Sequence, residues 1–167
     1  AARILSLGRI PRGDRLAIVT NGRGPGLMAA DAAARNGIPL AEFTQQTFDR
    51  LNKVLPAGAR VRNPLDVRGT APPAQIAAAV EAVLADENTD AVAVLHVPLP
   101  ASPSTDTARA IAGAARGAGK LVLASWMGAV DRNEARQALE AGGIANFYTP
   151  ENAVDAYSFL AAYRRNQ

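Results

Sequence analysis

The chain has 167 residues, 49% of them hydrophobic and 20% charged, with a net charge of +3 and no cysteine. That length and balance suit one globular domain with its own core and exclude a disordered chain. Disulfides, cysteine–metal sites and thiol catalysis are excluded, and no apolar run approaches the roughly 20 residues that span a bilayer.

In chain order, residues 15–20 (Arg-Leu-Ala-Ile-Val-Thr) form a short apolar run ending at Asn21-Gly22, the mark of a buried strand feeding a loop. Leu27, Met28, Ala30 and Ala34 predict a helix after it, stopped at Asn36-Gly37. Residues 38–43 read as a second, shorter strand, which Pro39 places at an edge or at a strand start. Thr44 caps a helix to Leu55 with Phe48, Leu51, Val54 and Leu55 on one face, and Pro56 ends it. Residues 61–67 (Val-Arg-Asn-Pro-Leu-Asp-Val) are extended, because Pro64 drives its predecessor out of the helical region. Pro72-Pro73 opens a helix striped by Ile76, Val80, Val83 and Leu84.

Residues 90–97 make the strongest strand, an unbroken apolar run that predicts a central place with both faces covered. A loop over 98–103 follows, with Ser104 or Thr105 capping the next helix. Residues 120–126 are a strand, Asp131 or Asn133 opens a helix that ends at Gly142-Gly143, and 144–148 is a last strand. Thr149-Pro150-Glu151 is a capped start for the terminal helix, which runs to Tyr163. Strands alternating with helices predict an α/β fold: a flavodoxin-like, doubly wound parallel sheet of five strands in the order 2-1-3-4-5, in three αβα layers. Residues 1–13 fall outside this rhythm and read as a linker from a preceding domain, with the domain proper over 14–167. A start without Met and an abrupt Arg164-Arg165-Asn166-Gln167 end suggest a piece of a larger protein.

Ligands of such sheets bind beyond the carboxyl ends of the strands, where the strand order reverses. Here that is between loops 20–26 and 97–105. The first, Asn21-Gly22-Arg23-Gly24-Pro25-Gly26, runs straight into a helix. Glycine admits close backbone approach, and a helix N-terminus offers unpaired N–H groups and partial positive charge, which together suit a phosphate or another anion. Pro25 in the turn departs from the dinucleotide fingerprint, and no Gly-Lys-Ser/Thr follows as a Walker A loop requires. The alternative is a turn that needs glycine only to pack.

Asn63-Pro64-Leu65-Asp66 is a second candidate, in which Asp66 either binds a ligand or closes an Asx-type turn. His96, the sole histidine, lies near the carboxyl end of the most buried strand and reads as a packed histidine or a ligand contact. Trp126-Met127-Gly128 ends the fourth strand at the same rim. No nucleophile, base and orienting group assemble, so no catalytic residue is assigned and the chain alone is not expected to be a complete catalyst. No metal site is expected either.

The positive charge raises nucleic acid as a partner, but the basic residues are scattered, and Arg60 and Arg62 alternate with Val61 as on a strand edge. Neither nucleic acid nor membrane is expected, and the composition fits a cytoplasmic bacterial protein.

The run from Ile18 through Asn21-Gly-Arg-Gly-Pro-Gly26 to Asp31, then Asn63-Pro-Leu-Asp66, Trp126-Met-Gly128 and Tyr148-Thr-Pro-Glu151, closely resembles the CoA-ligase domain of NDP-forming acyl-CoA synthetases, relatives of succinyl-CoA synthetase. The resemblance covers residues 14–163. The closing Ala162-Tyr163-Arg-Arg-Asn-Gln167 is similar to the version inside bifunctional GNAT protein lysine acetyltransferases.

The resemblance implies that the helix after the turn points its N-terminus at a phosphohistidine of a neighbouring domain. That role falls on Asn21, Gly22, Gly24 and Gly26, with Asn63 and Asp66 at the same rim. His96 does not match the phosphohistidine motif. The implied cofactors are acetyl-CoA or CoA and ATP or ADP in the parent protein, none held by this domain alone. The implied partners are CoA-binding, phosphohistidine and ATP-grasp domains, together with a GNAT domain and protein lysine substrates in the acetyltransferase branch. Three readings follow. The first is a structural or acyl-CoA-sensing part of a lysine acetyltransferase. The second is a domain of a working synthetase, and the third a non-catalytic flavodoxin-like binding module.

Overall fold

The computed structural model describes residues 9–128 and 132–167. The apolar run after Arg15 has no face it can leave in water, and it forms β1 (Leu16–Thr20), buried along its whole length. Helix α1 (Arg23–Arg35) follows at once and ends where Gly37 takes a φ of 65°. Thr44 accepts the Thr47 amide through its hydroxyl and so opens α2 (Gln45–Val54). Strand β2 (Leu65–Asp66) precedes α3 (Pro73–Leu84), whose Ile76, Val80, Val83 and Leu84 are buried as the stripe predicts.

The central strand β3 (Ala91–His96) leads to α4 (Ser104–Ala115), and β4 (Leu121–Trp126) leads to α5 (Arg132–Ala141). Strand β5 (Ala145–Asn146) and α6 (Pro150–Arg165) close the chain, with the Thr149 hydroxyl accepting the Asn152 amide at 3.1 Å. Neither Ser104 nor Thr105 caps α4. Pro103 holds the cap position, and Ser104 is the first helical residue. The Asp131 expectation lies outside the described residues, and Asn133 sits inside α5.

All neighbouring strands are parallel, in the order β2-β1-β3-β4-β5. The expected α/β fold and strand order are therefore observed, but the expected edge strand is not. Residues 38–43 supply only a single bridge, Leu40 to Leu16, at the start of β1, and Leu65–Asp66 pairs with Val19 and Thr20 at its end. The gap between is closed by one side chain. Asn63 Oδ1 accepts the Ile18 amide at 3.0 Å, and its Nδ2 donates to the carbonyls of Leu16 (2.9 Å) and Ala41 (3.0 Å). Around the bridge the Pro39 carbonyl accepts the Leu16 amide (3.0 Å) and the Ala41 amide donates to the Leu16 carbonyl (2.9 Å), and beyond it the carboxamide of Asn63 stands in for a peptide group.

The two faces of the sheet carry separate cores. Ala17, Val19, Val92, Val94, Val122 and Ala124 face α2, α3, α4 and α5, whereas Leu16, Ile18, Leu95, Leu121 and Leu123 face α1 and α6. This alternation is the period-2 consequence of a strand, and it makes three αβα layers. Burial of each large aliphatic side chain contributes about 1.5–3 kcal/mol, so the two faces supply most of the driving force.

The chain enters the domain held by α6 and by the start of β3. The Tyr157 hydroxyl donates to the Gly13 carbonyl at 3.0 Å, and Asp14 pairs with Arg164 (2.6 Å) and Arg165 (2.8 Å) of α6. Asp90 accepts both the amide and the Nε of Arg15, and a side chain at Gly13 would collide with the Asp90 carboxylate. Gly13 and Asp14 are thus tied to the sheet and α6, while residues 1–8 of the expected linker lie outside the described residues.

Burial alone would raise the carboxyls of Asp14, Asp86 and Asp90. Hydrogen bonds outweigh it and hold all three below the ordinary carboxylate value: from Arg164 and Arg165 at Asp14, from Thr47, Thr44 and Asn88 at Asp86, and from Arg15 at Asp90. A depressed carboxyl stabilises the fold above its unfolded pKa and loses that stabilisation as pH falls through the folded one. Urea midpoints should therefore stay level above about pH 5 and fall steadily below about pH 4, and Asp90→Asn should flatten part of that fall.

Candidate functional site

Strand β1 ends at the carboxyl edge of the sheet on Thr20, whose hydroxyl donates to the Gly22 carbonyl (2.9 Å) and accepts the Gly22 amide (3.1 Å). Asn21 is buried between the two loops at this edge. Its Nδ2 donates to the Val97 carbonyl (2.8 Å) and Ser102 Oγ (3.0 Å), and its Oδ1 accepts the Val97 amide (2.8 Å). Both amide protons and the carbonyl of that side chain are spent on the tie. Gly22 is the N-cap of α1 and has no side chain to bond the first turn. A Cβ there would stand 2.9 Å from Val97 Cγ2, so the tie and the glycine are one packing requirement.

Past Gly22 the helix begins with donors in hand. Among the described residues no acceptor takes the amides of Arg23 and Gly24, Pro25 has no amide to offer, and the Gly26 amide reaches the Gly22 carbonyl only at 3.5 Å. A Cβ at Gly24 would meet nothing within 4 Å, so the amides open onto solvent, whereas one at Gly26 would lie 3.1 Å from Thr20 Cγ2. Free amides at the positive end of a 13-residue helix are the elements of an anion site.

Beside this turn lies an open cleft of about 740 Å³. Thr20, Arg23, Gly26 and Leu27 form one wall, and Arg60, Arg62, Asn63, Pro64, Asp66 and Arg68 form the other. Of the expected site residues, Gly26, Asn63 and Asp66 line the cleft, while Asn21, Gly22 and Gly24 belong to the turn beside it. Asn63 lines it with a side chain already committed to the sheet edge, and Asp66 Oδ1 accepts the Arg68 amide at 2.8 Å, the Asx-type turn that was the alternative there.

The chain belongs to the Ligase-CoA domain family, whose model matches residues 16–166. It is 35% identical over 150 residues to an ADP-forming acetate–CoA ligase I of Archaeoglobus fulgidus, covering 90% of this chain and 21% of that protein. It is 33% identical over 161 residues to the α subunit of an ADP-forming acetate–CoA ligase II of Pyrococcus furiosus, covering 94% of this chain and 35% of that subunit. A dinucleotide forming acetyl-coenzyme A synthetase 1 of Ca. Korarchaeum cryptofilum superposes with a TM-score of 0.89 at 34% identity, over 98% of this chain and 36% of that one; it is known in an apo form and in complex with phosphate and ADP. The chain thus spans about a fifth to a third of the length of these relatives.

His96 of the Ligase-CoA domain is a packed residue. Its Nε2 lies 2.9 Å from the Ser102 carbonyl, its ring stacks on Trp126 at 4.8 Å, and Trp126 in turn donates Nε1 to the Ser104 carbonyl. Burial pushes its pKa below the ordinary value, against the hydrogen bond to Ser102 that raises it, so the ring is neutral at physiological pH. Among the described residues no three His, Asp or Glu side chains gather as a metal site requires, and no helix is long and apolar enough to cross a membrane.

Sequence reasoning missed the arginines of the cleft. Arg60 and Arg62 look like strand-edge residues until β2 is known to pair beside β1, next to α1. The glycines separate cleanly by experiment. Gly22→Ala should cost about 1–3 kcal/mol by overpacking against Val97, and Gly24→Ala should stabilise the helix by up to about 1 kcal/mol. Equal shifts of the urea midpoint in the two variants would contradict this division.

Proposed function

We propose that this domain is a working part of an NDP-forming acyl-CoA synthetase, in which the first turn of α1 stabilises a phosphorylated histidine brought by a neighbouring domain. The overall reaction is acyl-CoA + NDP + phosphate ⇌ acid + CoA + NTP. The observation that carries the reading is the pair of uncommitted amides, Arg23 and Gly24, at a helix N-terminus that no side chain caps. A phosphoryl group on a histidine is an anion in transit, and fixed N–H dipoles stabilise it without reorganising. On this reading Gly22 and Gly26 shape the turn, Asn21 holds it against the loop after β3, and Asn63 and Asp66 shape the adjoining rim.

On this reading the domain supplies half of such a site, and the reacting groups come from its partners. CoA and ATP or ADP would then be handled largely by partner modules, a CoA-binding domain and an ATP-grasp domain, and a cytoplasmic location would follow from these substrates. Within that parent the domain runs over 14–167, after a linker. The relatives named above are acetate–CoA ligases, which favours this reading over an acyl-CoA-sensing role beside a GNAT acetyltransferase.

A single substitution tests it. Gly24 has open space around it, so Gly24→Asp fits without a clash, and its charge stabilises the helix end by about 0.3–1 kcal/mol while repelling an anion. In the full-length ligase the variant should keep or raise the melting temperature and lower kcat for acetyl-CoA formation by at least about tenfold. Unchanged kcat would overturn the proposal, and Gly24→Asn, isosteric and neutral, should retain most of the activity.

A further inference from the structure

The cleft beside the turn carries more positive charge than a phosphohistidine site uses. Arg60 and Arg62 line it from the segment before Asn63, Arg68 from just past β2, and Arg23 from the first position of α1. All four are exposed, and none forms an ion pair among the described residues. The one carboxylate of the lining, Asp66, bonds the Arg68 backbone. Arg68 itself has a φ of 75°, in the left-handed region that non-glycine residues rarely adopt, fixed there by the Asp66 bond and by the Ala71 amide on the Arg68 carbonyl. Glycine would take that backbone without strain, so an arginine held in it is a residue whose side chain is wanted at the cleft.

We propose that this cleft is a second anion site, for an organic ligand that carries a diphosphate. Guanidinium groups bind phosphoryl oxygens through paired, planar hydrogen bonds, and four of them facing one carboxylate exceed what a single phosphate can neutralise. A cleft of about 740 Å³ is the size of a small-molecule site. Leu27, 54% exposed, and Pro64 add an apolar surface that an inorganic anion would leave uncovered and an organic group would cover. A nucleoside diphosphate and the diphosphate of CoA share this chemistry. The site departs from the expectation that this domain alone holds no cofactor. It uses arginine side chains rather than the α1 amides, so it stands independently of the phosphohistidine reading.

Calorimetric titration of the full chain with ADP, CoA, pyrophosphate and orthophosphate at low ionic strength tests it. ADP or CoA should saturate the site at least about tenfold more tightly than orthophosphate, with pyrophosphate between them. Because the arginines are exposed, raising the salt to about 0.5 M should weaken binding by at least about tenfold. Arg60→Ala/Arg62→Ala should do the same without moving the unfolding midpoint, since both side chains lie in solvent, and Arg60→Lys/Arg62→Lys should fall between.

Preference for CoA assigns the cleft to CoA, preference for ADP to a nucleoside diphosphate, and equal affinity to the diphosphate itself. Failure of both organic ligands to saturate, affinity no better than that of orthophosphate, or binding unmoved by the double alanine variant would each overturn the proposal. The ligase assay of Gly24→Asp separates the two readings. Loss of turnover there without diphosphate binding here removes the cleft site alone, and diphosphate binding in a protein whose Gly24→Asp variant keeps full kcat removes the phosphohistidine reading alone.

Discussion

Three hydrogen bonds from the buried carboxamide of Asn21, two to the backbone of Val97 and one to Ser102, hold together the loops that follow β1 and β3. The candidate site hangs from this tie. Parallel strands cannot be joined by tight hairpins, so the loops at the carboxyl edge belong to different crossovers and have no backbone ladder between them. A side chain with two donors and one acceptor replaces that ladder. It places Gly22 against Val97, starts α1 at Arg23, and leaves the first amides of the helix facing outward. His96 and Trp126 brace the far side of the same loop through the carbonyls of Ser102 and Ser104.

The opposite edge of β1 repeats the device. Asn63 fills the break between the Leu40 bridge and β2 with bonds to Leu16, Ile18 and Ala41, and it thereby fixes where the following Pro64, Leu65 and Asp66 lie beside the turn. The two asparagines expected at the site fasten its two boundaries. An unsatisfied buried N–H such as that of Ile18 costs about 1–3 kcal/mol, which is reason enough for a carboxamide in each place.

The electrostatics divide along the same line. At the amino edge, positive and negative charges are matched: Asp14 with Arg164 and Arg165, Asp90 with Arg15. Around the cleft at the carboxyl edge, arginines stand without carboxylate partners among the described residues. Charge paired inside the fold stabilises it, and charge left unpaired at a concave edge draws anions. On the proposed reading, the domain contributes dipoles and guanidiniums to chemistry whose reacting groups arrive on other parts of the protein.

Much was legible in the sequence by itself. The apolar runs at 15–20 and 90–97, the Thr44 and Thr149 caps and the Gly37 stop are local signals, and they determined the alternation of strands and helices, the parallel sheet and the place of the glycine turn at its carboxyl edge. The family resemblance likewise rested on contiguous residues. Only the tertiary structure decided which segment became the second strand, what Asn21 and Asn63 bond, and that Arg23, Arg60, Arg62 and Arg68 share one cleft. The reason is range: a cap or an apolar run is settled within a few residues, whereas a side chain bonded across 45 or 76 positions, as Asn63 is to Ile18 and Asn21 to Val97, has a role that exists only after the sheet has formed.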